Sequence, residues 1–168
     1  LDSTKLNIDA PCLLLHSEMG TAKTSNVLLK LVAKHQRVCV VTPKRLFAKS
    51  IQGVLKDAGH EPKHYRDENF WREDNDLVVV ELESLFKLYR NCNEPYDLIV
   101  LDESETIIKQ MLCVSTHGPK LRNNWETLIW LLEHSVQCFA ADARMSCVTM
   151  DYLAETFKRK EINYIHNT

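Results

Sequence analysis

The chain lacks several features that would settle its class at once. It has no run of about eighteen apolar residues, the length a membrane-spanning helix needs, so no membrane span and no membrane partner are expected. Leu1–Ala10 is polar and mixed, without the basic start and apolar stretch of a signal peptide. A large net charge is missing too. At −2 the whole molecule is no magnet for nucleic acid, and any such contact must be local. None of the six cysteines (Cys12, Cys39, Cys92, Cys113, Cys138, Cys147) forms a Cys-x-x-Cys pair, and three lie in apolar strand-like runs. They read as reduced, buried small hydrophobes of an intracellular reducing compartment, the nucleus or cytoplasm. His60 and His64 have helical spacing, but Pro62 between them breaks the helix that zinc ligation would require. Repeats, low-complexity tracts and internal domain boundaries are absent.

What is present is ordinary in bulk and informative in order. With 168 residues, 45% apolar and 26% charged, the chain suits one domain with a sizeable core. Short apolar runs at Cys12–His16, Arg37–Thr42, Lys63–Tyr65, Leu77–Val80, Tyr96–Leu101 and Gln137–Ala141 predict strands. Helical spacing predicts helices over Lys23–Lys34, Lys44–Ala58, Ser84–Tyr89, Ile107–Leu112, Asn124–His134 and Met145–Phe157. Glu161–His166 reads as a last strand or the start of a linker, and Val114–Asn123 as a mobile surface loop. Non-alternating apolar strands between helices mean a mostly parallel sheet covered on both faces, a three-layer αβα architecture.

The first strand runs into His16-Ser17-Glu18-Met19-Gly20-Thr21-Ala22-Lys23-Thr24 and then a helix. A phosphate loop needs that context: a strand end, a turn of inward-pointing amides and a helix N-terminus. In this reading Ser17–Thr24 cradle ATP, Lys23 contacts the β- and γ-phosphates and Thr24 helps hold Mg²⁺. The usual spacing places glycines at positions 17 and 22, where this chain has Ser17 and Ala22. A Cβ forced into a glycine-like conformation costs on the order of 1–2 kcal/mol. That corresponds to roughly a tenfold loss of affinity, so nucleotide binding is expected to be weakened.

A second apolar strand delivers Asp102 and Glu103 to its C-terminal end, where ligands bind in open α/β sheets. Asp102 is placed to hold Mg²⁺ and Glu103 to orient or deprotonate an attacking water. A solvated helix start would explain the same two acids taken alone. Thr42-Pro43-Lys44-Arg45 ends a strand and opens a helix with a hydroxyl, free amides and two cations. This suits a nucleic-acid phosphate backbone, as does Ser84 at a later helix start; for both, a solvated helix start is the plainer alternative.

On these segments the chain resembles the ATPase lobe of the herpesvirus-type origin-binding helicases, a RecA-like phosphate-loop lobe of superfamily 2. The resemblance covers roughly residues 12–153: His16–Thr24, Val41–Ser50, the Leu-Glu-Ser-Leu core within Val79–Leu85, Tyr96–Glu103 and Ala140–Leu153. It implies nucleotide and Mg²⁺ roles for Lys23, Thr24, Asp102 and Glu103. It implies single-strand contacts, DNA before RNA, for Thr42, Lys44, Arg45 and Ser84, and coupling of hydrolysis to movement for Asp142. Departures from the pattern are Ala22, Glu81 in place of a glutamine and Arg144 in place of a second acid. Such helicases close ATP between two lobes, so a second RecA-like lobe of the same polypeptide is the expected partner and 1–168 the expected fragment. Two other functions fit fewer residues. One is a degenerate lobe that binds or scaffolds without ATPase activity. The other is a small phosphotransferase, for which Val114–Asn123 offers only Lys120 and Arg122 as a cationic lid.

Overall fold

The computed structural model describes residues 7–17, 23–67, 75–89, 94–156 and 162–167. Seven strands form one sheet in the order β3-β4-β2-β5-β6-β1-β7. In chain order they are β1 (Cys12–Ser17), β2 (Val38–Thr42), β3 (Lys63–His64), β4 (Leu77–Glu81), β5 (Leu98–Asp102), β6 (Gln137–Asp142) and β7 (Ile162–Asn167). Every pairing among them is parallel, so the expected mostly parallel sheet is wholly parallel within the described residues. The helices are α1 (Lys23–Val32), α2 (Arg45–Asp57), α3 (Phe86–Tyr89), α4 (Ser104–Met111), α5 (Val114–His117), α6 (Leu121–His134) and α7 (Cys147–Thr156).

Strand side chains alternate between two apolar layers, because successive Cβ atoms point to opposite faces. Leu13, Leu15, Val38, Val40, Leu98, Val100 and Phe139 pack with α1 and α2 through Leu28, Leu31, Ile51 and Leu55. On the other face, Leu14, Val41, Val80, Ile99 and Leu101 meet α4, α6 and α7 through Ile107, Met111, Leu128, Leu131 and Leu153. With both faces covered, no interior strand position can be polar without a partner. Polar residues are thus driven to the strand ends.

Several sequence expectations shift. The segment 114–123 is not a loop: α5 and a 3-10 turn at Gly118–Lys120 lead directly into α6. Its polar composition misled because His117 is buried and Gly118, at φ 52°, turns the chain between the helical pieces. The helix expected at Ile107 begins at Ser104, against the acidic pair, and Ser84–Tyr89 divides into a 3-10 turn at Leu82–Ser84 and α3. Residues 162–167 form the edge strand β7. Cys12, Cys39 and Cys138 are buried as expected, but Cys113 is half-buried and Cys147 exposed; Cys92 lies outside the described residues. No described helix is long and apolar enough to cross a membrane.

Phe139, fully buried in the layer beneath α1 and α2, is among the largest wholly enclosed side chains. Phe139→Ala should lower unfolding stability by roughly 3–5 kcal/mol, read as a lower urea midpoint at unchanged slope.

Candidate nucleotide and nucleic-acid site

A parallel sheet gathers all its strand C-termini on one edge. Reading across the sheet, that edge carries His64, Glu81, Thr42, Asp102, Asp142 and Ser17. Asp102 and Glu103 stand at its middle, at the end of β5. Asp102 lies opposite Ala141 of β6, one residue before Asp142. Burial, then the charges of Glu103 and Asp142, push the Asp102 carboxyl up to about 6. Glu103 is raised as well, by burial and by Asp142. Glu103 also holds φ 63° and ψ 51°, making it the one non-glycine residue with positive φ among those described. That left-handed conformation costs roughly 1–2 kcal/mol. It turns the chain sharply from β5 into α4 and keeps both acids at the sheet edge.

The third acid is occupied differently. Asp142 Oδ2 accepts the Glu105 amide at 2.8 Å and Oδ1 the Arg144 amide at 2.7 Å. Glu105 returns the contact: its carboxylate accepts the Ser146 amide at 2.9 Å and the Thr149 hydroxyl at 2.6 Å, with Lys109 Nζ at 3.0 Å. Burial alone would raise the Glu105 carboxyl, but these donors overcome it and hold it at about 2. The start of α4 is thereby clasped to the end of β6 and the start of α7: Asp142 closes a free amide at the start of α4, and Glu105 closes the one just before α7. On the far side of Asp142, His16 Nε2–H donates to the Ala143 carbonyl at 3.1 Å, which leaves Nδ1 to accept from the Tyr164 hydroxyl at 3.2 Å.

Among the described residues, no three His, Cys, Asp or Glu side chains converge closely enough to hold a metal by themselves. Mg²⁺ does not need such a cage. It is commonly bound by one or two carboxylates together with substrate phosphates and water. Asp102, half-buried and beside two other acids, fits that use, because a cation would offset both its partial desolvation and their repulsion. Of the expected phosphate loop, Ser17 is buried at the end of β1, two strands from Asp102 on the same edge, while Glu18, Met19, Gly20, Thr21 and Ala22 lie outside the described residues. Lys23 and Thr24 open α1, though their side chains are not among those described.

Comparison with known proteins agrees with this geometry. Residues 2–168 match the family described as "Origin of replication binding protein". The chain belongs to that family. The replication origin-binding protein of human herpesvirus 6B (strain Z29) is 29% identical over 165 residues, which is 96% of this chain and 20% of the relative. The chain therefore spans about a fifth of that relative's length. The fold is that of the RecA-like helicase core. The Sulfolobus solfataricus SWI2/SNF2 ATPase core in complex with dsDNA superposes with TM-score 0.62 at 17% identity, covering 88% of this chain and 31% of that one. S. cerevisiae Dbp5, bound to Nup159, Gle1, IP6 and ADP, superposes with TM-score 0.67 at 14% identity, covering 97% and 45%.

In this family member the segments expected to meet nucleic acid share the same edge. Lys44 and Arg45 are exposed, whereas Thr42 is buried, its hydroxyl donating to the Lys44 carbonyl at 3.4 Å, and Pro43 begins the turn. Ser84 is buried in the 3-10 turn after β4. Glu81, level with Thr42, is buried with its Oε2 3.2 Å from His64 Nε2, and His64 holds its carboxyl below the ordinary value despite burial. Sequence reasoning passed over Glu105, Ser146 and Thr149. Glu105 was visible as the last acid of Asp-Glu-Ser-Glu, but nothing local told that its partners lie more than forty residues on.

Asp102→Asn should raise stability at neutral pH by up to about 3 kcal/mol. The folded state binds the extra proton between pH 3.8 and about 6, so stability falls as pH rises through that window. Thermal unfolding against pH should lose this slope in the variant. Glu105→Ala leaves the Ser146 amide and Thr149 hydroxyl without their acceptor and should destabilise by roughly 2–4 kcal/mol, measured by urea unfolding.

Proposed function

We propose that this chain is the ATP-binding lobe of a DNA helicase or translocase that acts in replication of viral type. The observation that carries the reading is Asp102. Its charge is left without a hydrogen-bonding partner among the described residues, next to Glu103, at the sheet edge where β1 leads towards α1. In this reading Lys23 and the 17–24 segment hold the phosphates of ATP, and Thr24 with Asp102 would hold Mg²⁺. The ion supplies charge neutralisation at the phosphate oxygens. Glu103, turned towards the edge by its left-handed backbone, orients the attacking water and accepts its proton. The Asp142–Glu105 clasp carries the coupling role, because it joins the helix behind the acidic pair to the start of α7.

Lys44 and Arg45, exposed at the start of α2, take the phosphates of a single DNA strand, with Thr42 and Pro43 shaping the turn and Ser84 the neighbouring one. A second RecA-like lobe in the same polypeptide closes the nucleotide from the other side. The family's origin-binding relatives favour DNA over RNA, and the buried thiols suit a reducing nucleus or cytoplasm. Ala22 favours a second reading: a lobe that binds or scaffolds without hydrolysis.

ATP turnover with and without oligo(dT) tests the first reading: Lys23→Ala should reduce it at least a hundredfold, and turnover indifferent to that change rejects it. Calorimetry separates the two readings. Ala22→Gly should tighten ATP binding roughly tenfold. Absence of ATP binding even in Ala22→Gly leaves the scaffold reading standing.

A further inference from the structure

Beside Ser84, a buried polar clamp and a row of stacked cations meet in one turn. Asn124 of α6 is wholly buried. Its Oδ1 accepts the Phe86 amide at 2.8 Å, and its Nδ2 donates to the Glu83 carbonyl at 3.1 Å. The remaining Nδ2 hydrogen points to His117 Nδ1 at 2.9 Å. His117 Nε2 lies 3.1 Å from the Gln110 carbonyl, which can only accept, so Nε2 carries the hydrogen and Nδ1 is free to accept from Asn124. The amide of Asn124 can therefore face only one way. A flip would set its NH₂ against the Phe86 N–H and its oxygen against the Glu83 carbonyl. Through these bonds the end of α4 and the start of α6 hold both sides of the turn that ends β4.

What this turn presents is charge. Lys87 Nζ lies 4.3 Å from the Tyr65 ring centroid and 5.9 Å from that of Phe86, and Lys120 Nζ lies 5.0 Å from Phe86. Arg66 stacks on Tyr65 at 5.2 Å, its Nε donating to the Tyr65 hydroxyl at 2.6 Å. Three cations thus line one stretch of surface, on a chain whose net charge is −2. Among the described residues, Glu83 and Asp67 are exposed acids on the same stretch, and Asp67 already accepts the His64 amide. With strands about 4.8 Å apart, this row begins roughly 10 Å from Thr42, on the same edge of the sheet.

We propose that Lys87 and Lys120 form a second phosphate contact for the single strand held at Lys44 and Arg45, and that Asn124 is the positioning residue that sets Lys87 in place. The proposal rests on the nucleic-acid reading of the Lys44–Arg45 edge. Phe86, whose amide Asn124 holds, directly precedes Lys87 in α3, so the clamp fixes the backbone from which the cation projects.

Oligo(dT) affinity of the chain, titrated against salt by fluorescence anisotropy, tests it. Lys87→Ala and Lys120→Ala should each weaken binding several-fold and flatten the log–log salt slope by about 0.7, the counterion release of one phosphate contact on a single strand. Asn124→Asp removes the donors to Glu83 and His117 and should weaken binding by a factor similar to Lys87→Ala. The double variant should be no weaker than the poorer single one, since both act through one contact. A purely structural Asn124 would instead give additive losses and a parallel loss of nucleotide affinity, which overturns its positioning role. Lys87→Ala alters only a partly exposed side chain, so its unchanged slope overturns the phosphate contact even if Asn124→Asp does not fold. If Lys44→Ala and Arg45→Ala also leave affinity unchanged, the nucleic-acid reading fails and this proposal with it. If those two weaken binding and Lys87→Ala and Lys120→Ala do not, this proposal fails alone.

Discussion

Everything functional in this chain depends on the parallel register of one sheet buried on both faces. Interior strand positions must be apolar, since a polar group there would lose water without gaining a partner. Polar residues survive only where strands stop, and parallel strands stop on the same side. Five strands of different sequence position therefore deliver Ser17, Thr42, Glu81, Asp102 and Asp142 to one edge. The site is a consequence of how the core is buried.

That edge holds two kinds of carboxylate. Asp102 and Glu103 are crowded, partly desolvated and raised in pKa, a state that disfavours the fold and favours a cation. Glu105, two residues on, is met by an amide, a hydroxyl and an ammonium, and its pKa falls to about 2. One acid stabilises the junction while its neighbours are left crowded. Relief of the repulsion among Asp102, Glu103 and Asp142 by a bound cation would return stability to the fold, so cation binding and folding would be linked through these three acids.

The same division of labour is visible at the neighbouring turn. Asn124 and His117 satisfy backbone groups from below and hold the chain still. Lys87 and Lys120 rest on aromatic rings above, with little freedom left to lose on meeting a phosphate. In both places a buried, fully satisfied side chain fixes the backbone that carries an exposed or crowded charge. A short 3-10 turn and a four-residue helix have little stability of their own, so such support from α6 is needed to keep them in one conformation.

The linear pattern was sufficient for the alternation of strand and helix, for the layering, and for the acidic pair at a strand end. Those follow from local periodicity and from where apolar runs break. It was also sufficient for the family, because short motifs such as Leu-Glu-Ser-Leu keep their meaning without coordinates. The helicity of 114–120 was not legible, since a buried His117 and a turning Gly118 look like any polar loop until Asn124 and Gln110 are brought beside them. Nor was the role of Glu105, whose partners Ser146 and Thr149 are set only when β5 and β6 pair. Hydrogen bonds between residues far apart in the chain leave no periodic trace. The sequence alone therefore determined which elements form and which acids end a strand. Tertiary structure decided which of those acids gains hydrogen-bond donors and which is left crowded by other carboxylates, because only folding brings those donors and charges within a few ångströms.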